Sequence, residues 1–157
     1  MMKKLLMVAV MIAMAAVLAG CGGQKTPLDV GADLYRQGDC AGAQPYFDET
    51  IANPDETMDI AYAYFLKAKC AEKAGDAAAA YENFYAAKIV VCYAVSVSTE
   101  HENLNTYARS DYCERILPDT LNTLAPDVGA DKVEAITAKV NAALNARYMQ
   151  QFADGAK

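Results

Sequence analysis

From Leu28 onward, apolar residues recur at spacings of three and four, which predicts helices; alternation of the strand kind is confined to the short run Val90 to Val97. Gly38-Asp39 and Gly75-Asp76 interrupt that spacing and predict tight turns between helices. The polar stretch Ser96 to Asn103 predicts a loop, with Thr99 and Glu102 placed as a helix cap. Leu104, Tyr107, Ala108, Tyr112, Ile116 and Leu117 form another helical stripe, which Pro118 is expected to halt because proline lacks an amide donor. Asp119 to Leu124 predicts a short helix and Pro126 to Gly129 a break. Asp131 and Glu134 then form a capping box for a last, amphipathic helix. It buries Val133, Ile136, Val140, Ala143, Leu144, Tyr148 and Phe152 and exposes Lys139, Asn145 and Arg147. The expected fold class is therefore all-α.

The two Gly-Asp turns belong to a longer self-similarity. Gln37-Gly38-Asp39-Cys40-Ala41-Gly42-Ala43 followed by Tyr46-Phe47 returns, 37 positions on, as Ala74-Gly75-Asp76-Ala77-Ala78-Ala79-Ala80 followed by Phe84-Tyr85. In each copy a small and a large residue four apart share one helical face, Ala43 with Phe47 and Ala80 with Phe84. This helix, turn, helix unit resembles the tetratricopeptide repeat, whose period is about 34 residues. The second copy carries the resemblance best, through Tyr64, Ala68, Gly75-Asp76, Ala80, Phe84 and Ala87. The first has Gly31, Leu34, Ala43 and Phe47 in place, but Thr50 replaces the last small residue and Pro45 lies inside a helix. Asn53-Pro54-Asp55 closes it. The resemblance covers Leu28 to about Val95. It implies antiparallel hairpins stacked as a short tetratricopeptide-like array with a C-terminal capping helix. It also implies a concave groove along the first helix of each unit, lined by Ala32, Tyr35 and Arg36, then by Tyr62, Phe65, Lys69, Glu72 and Lys73. Of these, Tyr35, Arg36, Tyr62, Phe65, Lys69 and Lys73 are the candidate partner-binding residues; aromatic anchors flanked by charge concentrate affinity.

Ahead of the helices stands a different kind of segment. Lys3 and Lys4 precede Leu5 to Val17, an apolar run of thirteen residues with no polar face, and small residues follow. This is the layout of a signal peptide. As a helix the run rises about 20 Å against roughly 30 Å of bilayer hydrocarbon, too short for a comfortable span. Leu18-Ala19-Gly20-Cys21 resembles the lipobox of bacterial lipoproteins, in which the cysteine is acylated and becomes the amino terminus. The resemblance makes Cys21 the lipidation site, and two or more acyl chains anchor a protein stably where one holds it marginally. Gly22 stands where enterobacterial lipoproteins held in the inner membrane carry Asp, which implies the outer membrane, facing the periplasm, in a Gram-negative cell. The expected organisation is a signal peptide over 1–20, a lipidated tether over 21–27 and one helical domain over 28–157.

Charge narrows the partners. The chain has 157 residues, 14 basic and 20 acidic, for a formal net charge of −6. Two of the basic residues, Lys3 and Lys4, lie in the leader, so the remainder carries 12 basic and 20 acidic residues. Nucleic acid is an unsuitable partner for such a surface.

Beyond Cys21 there are four cysteines, Cys40, Cys70, Cys92 and Cys113, an even number in an exported chain. Of three possible pairings, antiparallel helices favour residues equidistant from a turn. Cys40 and Cys70 are centred on Asp55, and Cys92 and Cys113 between Glu102 and Asn103, both in polar breaks, so these are the expected disulfides. No cysteine pair has the two-residue spacing of a redox or zinc motif. His101, the only histidine, sits between Glu100 and Glu102 in the expected loop, and the common hydrolase and nucleotide-binding signatures are absent. No catalysis, metal or cofactor is expected. The leading expectation is an envelope lipoprotein that binds another envelope protein or peptide as a scaffold or adaptor through its groove. The alternative is a periplasmic helical binder of a small apolar ligand, since Ala-rich helices bearing many tyrosines leave room for a pocket.

Overall fold

The computed structural model describes residues 25–97 and 104–155. The leader, Cys21, His101 and the Thr99 and Glu102 cap lie outside the described residues, as do the side chains of Tyr107, Tyr148 and Phe152. The described residues are all-α: α1 (Pro27–Arg36), α2 (Cys40–Ala52), α3 (Thr57–Ala74), α4 (Ala77–Val97), α5 (Leu104–Asp111), a π-helical turn (Tyr112–Ile116), α6 (Leu117–Val128) and α7 (Ala130–Gly155).

The two Gly-Asp turns have matching hydrogen bonds. At the first, Gly38 has φ 87°, its N–H donates to Tyr35 O, and the Asp39 N–H reaches back to Leu34 O. At the second, Gly75 has φ 74°, its N–H donates to Glu72 O, and the Asp76 N–H reaches back to Ala71 O. Each is a Schellman closure, which needs a left-handed residue and so favours glycine. Each aspartate then caps the next helix: the Asp39 carboxylate accepts from the Gly42 N–H at 2.8 Å, and that of Asp76 from the Ala79 N–H at 2.9 Å. The 37-residue recurrence therefore encodes one turn used twice.

The small and large pairs meet the same need. Ala43, Phe47, Ala80 and Phe84 are all buried, each small residue letting a neighbouring helix approach the ring beside it. In the first hairpin Gly31 makes that approach close: a Cβ there would lie 2.7 Å from Phe47 Cε1. Ala68 holds the equivalent place in the second hairpin and is buried. One core cluster joins Ala32, Ala43, Phe47, Ala63 and Leu66 across α1, α2 and α3. The larger cluster spans α3, α4, α6 and α7, with α4 supplying Ala80, Tyr81, Phe84, Ala86, Ala87, Val90 and Val91. Thr50, the misfit of the first copy, is buried with its hydroxyl satisfied by Tyr46 O at 2.8 Å.

Beyond α4 the structure departs from the expected breaks. The run Val90 to Val97 is the last two turns of α4: Val90, Val91 and Ala94 are buried at helical spacing, and Val97 is exposed, rather than alternating across a sheet. Pro118 does not end a helix. The π turn ahead of it lets the Leu117 N–H bond Tyr112 O, five residues back, so the ladder is already widened where the proline ring needs room. Pro126 likewise sits inside α6, near its end, and only Gly129, at φ 89°, breaks the chain. Leu104 to Val128 is thus one helix with a π turn in its middle. The last helix begins at Ala130, which places Asp131 inside its first turn instead of ahead of it. It buries Val140 and Leu144 and half-buries Val133 and Ile136, as expected, but Ala143 is exposed and Arg147 half-buried. Lys139 points outward and pairs with Glu82 at 2.6 Å, and the Tyr85 hydroxyl meets Asn141 Oδ1 at 3.1 Å, so α7 is tied to α4. Burial also raises the Tyr64 and Tyr81 phenols above their usual pKa near 10.

Replacing either capping aspartate tests the shared turn. Asp39→Ala and Asp76→Ala should each lower unfolding stability by about 1 kcal/mol in urea titrations at constant m-value. Stability unchanged from that of the parent protein in both variants would show that the caps contribute nothing.

Candidate functional site

α3 and the bent helix Leu104–Val128 both pack on α4. Among the described residues, however, no Cα of α3 comes within 8 Å of a Cα of the bent helix. The gap between them is a cavity of about 420 Å³. Met58, Ala61, Tyr62 and Phe65 of α3 form one wall, Ala87 and Val91 of α4 contribute to the floor, and Ala108, Arg109, Tyr112 and Leu117 form the other wall. Spacings of three and four along α3 put Met58, Ala61, Tyr62 and Phe65 on one face. Small residues at 61, 87 and 108 leave space where larger ones would fill it.

Three rings hold the cavity open on one side. Phe65 meets Phe84 edge to face at 5.6 Å between centroids, and meets Tyr112 edge to face at 5.9 Å, so an aromatic contact bridges the two walls. Such pairs contribute on the order of 1 kcal/mol beyond burial. Tyr62 and Tyr112 remain 48% and 39% exposed, and with Val97 they are the large hydrophobic residues that stay open to solvent among the described residues. The position of Tyr112 is enforced from behind. Its neighbour Cys113 is bonded to Cys92 of α4 with Cα atoms 5.0 Å apart. Across the π turn, Arg115 grips the Asp111 carboxylate with two hydrogen bonds of 2.7 and 2.6 Å, which holds that carboxyl below the usual range. Further along the groove a smaller hollow is lined by Glu72, Asp119, Thr120, Thr123 and Leu124.

The six expected partner-binding residues divide between two places. Tyr62 and Phe65 line the cavity. Tyr35, Arg36 and Lys73 gather where α1 ends against the end of α3: the Lys73 ammonium lies 4.0 Å above the Tyr35 ring, and Arg36 is paired with Asp33. Lys69 lies between, paired with Glu72, its ammonium 5.9 Å from the Phe84 ring centroid. Lys25 also pairs with Asp33, at 2.6 Å, and this hydrogen bond lowers the Asp33 pKa. Arg109 and Tyr112 also line the cavity and are not among the six expected residues. The signal for Tyr112 was its place beside Cys113, since a staple to α4 must bring that segment over the α4 floor.

The four cysteines are brought together in two pairs, Cys40 with Cys70 and Cys92 with Cys113, with Cα separations of 5.5 and 5.0 Å, inside the range a disulfide spans. The first joins α2 to α3 and the second joins α4 to the bent helix. Among the described residues no group of three or more His, Cys, Asp or Glu side chains is arranged to hold a metal ion, and no helix is long and apolar enough to cross a membrane. Comparisons with protein-family models, with curated proteins and with solved structures find no match to this chain.

Digestion without reductant should yield Cys40 linked to Cys70 and Cys92 linked to Cys113. A peptide joining Cys70 to Cys92 would contradict the helix order. Each link closes a loop of 21 to 30 residues, so the Cys92→Ser, Cys113→Ser double variant should lose about 3 kcal/mol of stability.

Proposed function

We propose that this chain is an envelope lipoprotein, anchored by acylated Cys21, that works by binding rather than turnover and holds a small apolar ligand between α3 and the bent helix. The supporting observation is the cavity. Its volume of about 420 Å³ falls in the range of small-molecule sites, and among the described residues its lining is apolar but for the phenols and one guanidinium. A well-packed domain of this size rarely leaves such a space beside its core. The hairpins bearing the tetratricopeptide-like pattern supply the rigid wall α3, and the bent helix supplies the opposing one.

A second reading, docking of another envelope protein or peptide, is favoured by the exposure of Tyr62 at 48% on the outward face of α3. It uses the same rim. Of the six expected residues only Tyr62 and Phe65 line the cavity, while Tyr35, Arg36 and Lys73 gather away from it, and for that reason the ligand reading takes first place.

Two measurements on one variant test the proposal. Cys21→Ser should move the protein from the membrane pellet to the soluble fraction, and retention in the pellet would overturn the anchor. The same protein should bind the neutral probe N-phenyl-1-naphthylamine saturably, one per chain. Tyr62→Ala with Tyr112→Ala should weaken binding about tenfold, roughly the 1.4 kcal/mol expected from losing part of the apolar cover. Unchanged affinity would remove the probe, and the ligand, from this cavity.

A further inference from the structure

Among the described residues the cavity is apolar over most of its lining, and Arg109 is the one charged side chain on its walls. It is half-buried and makes no ion pair or hydrogen bond among the described residues, whereas Arg36 and Arg115 are both paired with aspartates. A guanidinium partly withdrawn from water, with no partner among the described residues, favours a planar anion, which it can grip through two parallel hydrogen bonds. The acids of the groove, Glu72 and Asp119, line the separate hollow further along, beyond the Lys69–Glu72 pair. An anion in the groove is therefore drawn to the Arg109 end and repelled from the other. Tyr62 and Tyr112 present apolar rings with polar tips at the rim, the side-chain form that suits the boundary between an alkyl chain and a headgroup.

The location of the cavity agrees with this chemistry. α1 runs parallel to α3, since its last turn meets the last turn of α3 through Tyr35 and Lys73. The start of α1, where the chain enters the domain, is thus on the same side as the first half of α3, and that half supplies Met58, Ala61, Tyr62 and Phe65. Between Cys21 and Leu28 stand six residues, which reach at most about 20 Å. An acylated Cys21 would hold the cavity end of the domain near the bilayer surface.

We infer that the cavity takes a single-chain anionic amphiphile, its alkyl chain among Met58, Phe65, Ala87, Val91 and Leu117 and its carboxylate or phosphate on Arg109. This inference rests on the apolar-ligand reading above and adds the headgroup charge and the residue that selects it. Free fatty acids and single-chain phospholipids share this chemistry, and the two anionic arms of the test separate them.

The experiment is calorimetric titration of the full chain carrying Cys21→Ser, disulfides intact, with decanoate, decyl phosphate and the uncharged 1-decanol. One anion per chain should bind at least about tenfold tighter than decanol, as a charge-assisted hydrogen bond allows. Preference for decanoate marks a fatty acid, and preference for decyl phosphate marks a phospholipid head. Arg109→Gln should abolish the preference, with an unchanged thermal unfolding midpoint reporting an intact fold, while Arg109→Lys should keep part of it. Equal binding of decanol and both anions overturns the inference and leaves the apolar-ligand reading standing, whereas no binding of any of the three overturns both. If Arg109→Gln keeps the full preference, the headgroup does not sit on Arg109 and the assignment fails.

Discussion

Everything in this molecule leans on α4. From Ala80 to Ala94 it is buried through Ala80, Tyr81, Phe84, Ala86, Ala87, Val90, Val91 and Ala94, which face more than one direction around the helix. A helix apolar on so much of its circumference must be enclosed by others. α3 covers one side, and the bent helix and α7 cover the rest. The small residues among those eight permit close approach, and the large ones fill what remains. Because α3 and the bent helix meet α4 at different places on its circumference, their backbones stay apart and a gap remains over Ala87 and Val91. The cavity follows from how α4 is shared.

Two covalent links keep that arrangement from relaxing. Hydrophobic attraction alone would reward closing the gap, since each Å² of apolar surface removed from water contributes about 25 cal/mol. The Cys92–Cys113 bond opposes this by fixing the π turn against α4, and the Phe65–Tyr112 contact meets it from the opposite wall. The Cys40–Cys70 bond does the corresponding service for the first hairpin, locking α2 onto α3 so that α3 is a firm wall. The gap is thus a space held open at some cost in burial. Such sites are where a protein commonly departs from its most stable packing.

Much of the architecture was legible in the residue order, and for identifiable reasons. Gly38-Asp39 and Gly75-Asp76 declare themselves because a left-handed residue followed by a capping acid has few other uses. The cysteine pairs were legible because antiparallel helices place partners symmetrically about a turn. The errors share a cause as well. Pro118 and Pro126 were read by local rules, but a π turn and a position near the helix end each accommodate a proline without ending the helix. The stripe through Ala108 and Tyr112 looked like core, since periodicity shows which face is apolar and not whether anything fills the space before it. The repeat pattern on α3 singles out Phe65 and Tyr62, which line the cavity, whereas Arg109 belongs to a polar stretch of α5 and carries no pattern at all.

The most direct measurement of this account is a crystal structure of the Cys21→Ser protein under xenon pressure. Xenon seeks dry apolar space and should occupy a site between Phe65, Ala87, Val91 and Tyr112, with α3 and the bent helix still apart. Density showing α3 closed onto the bent helix, with no xenon between them, would contradict the claim that α4 and its disulfide hold a binding space open.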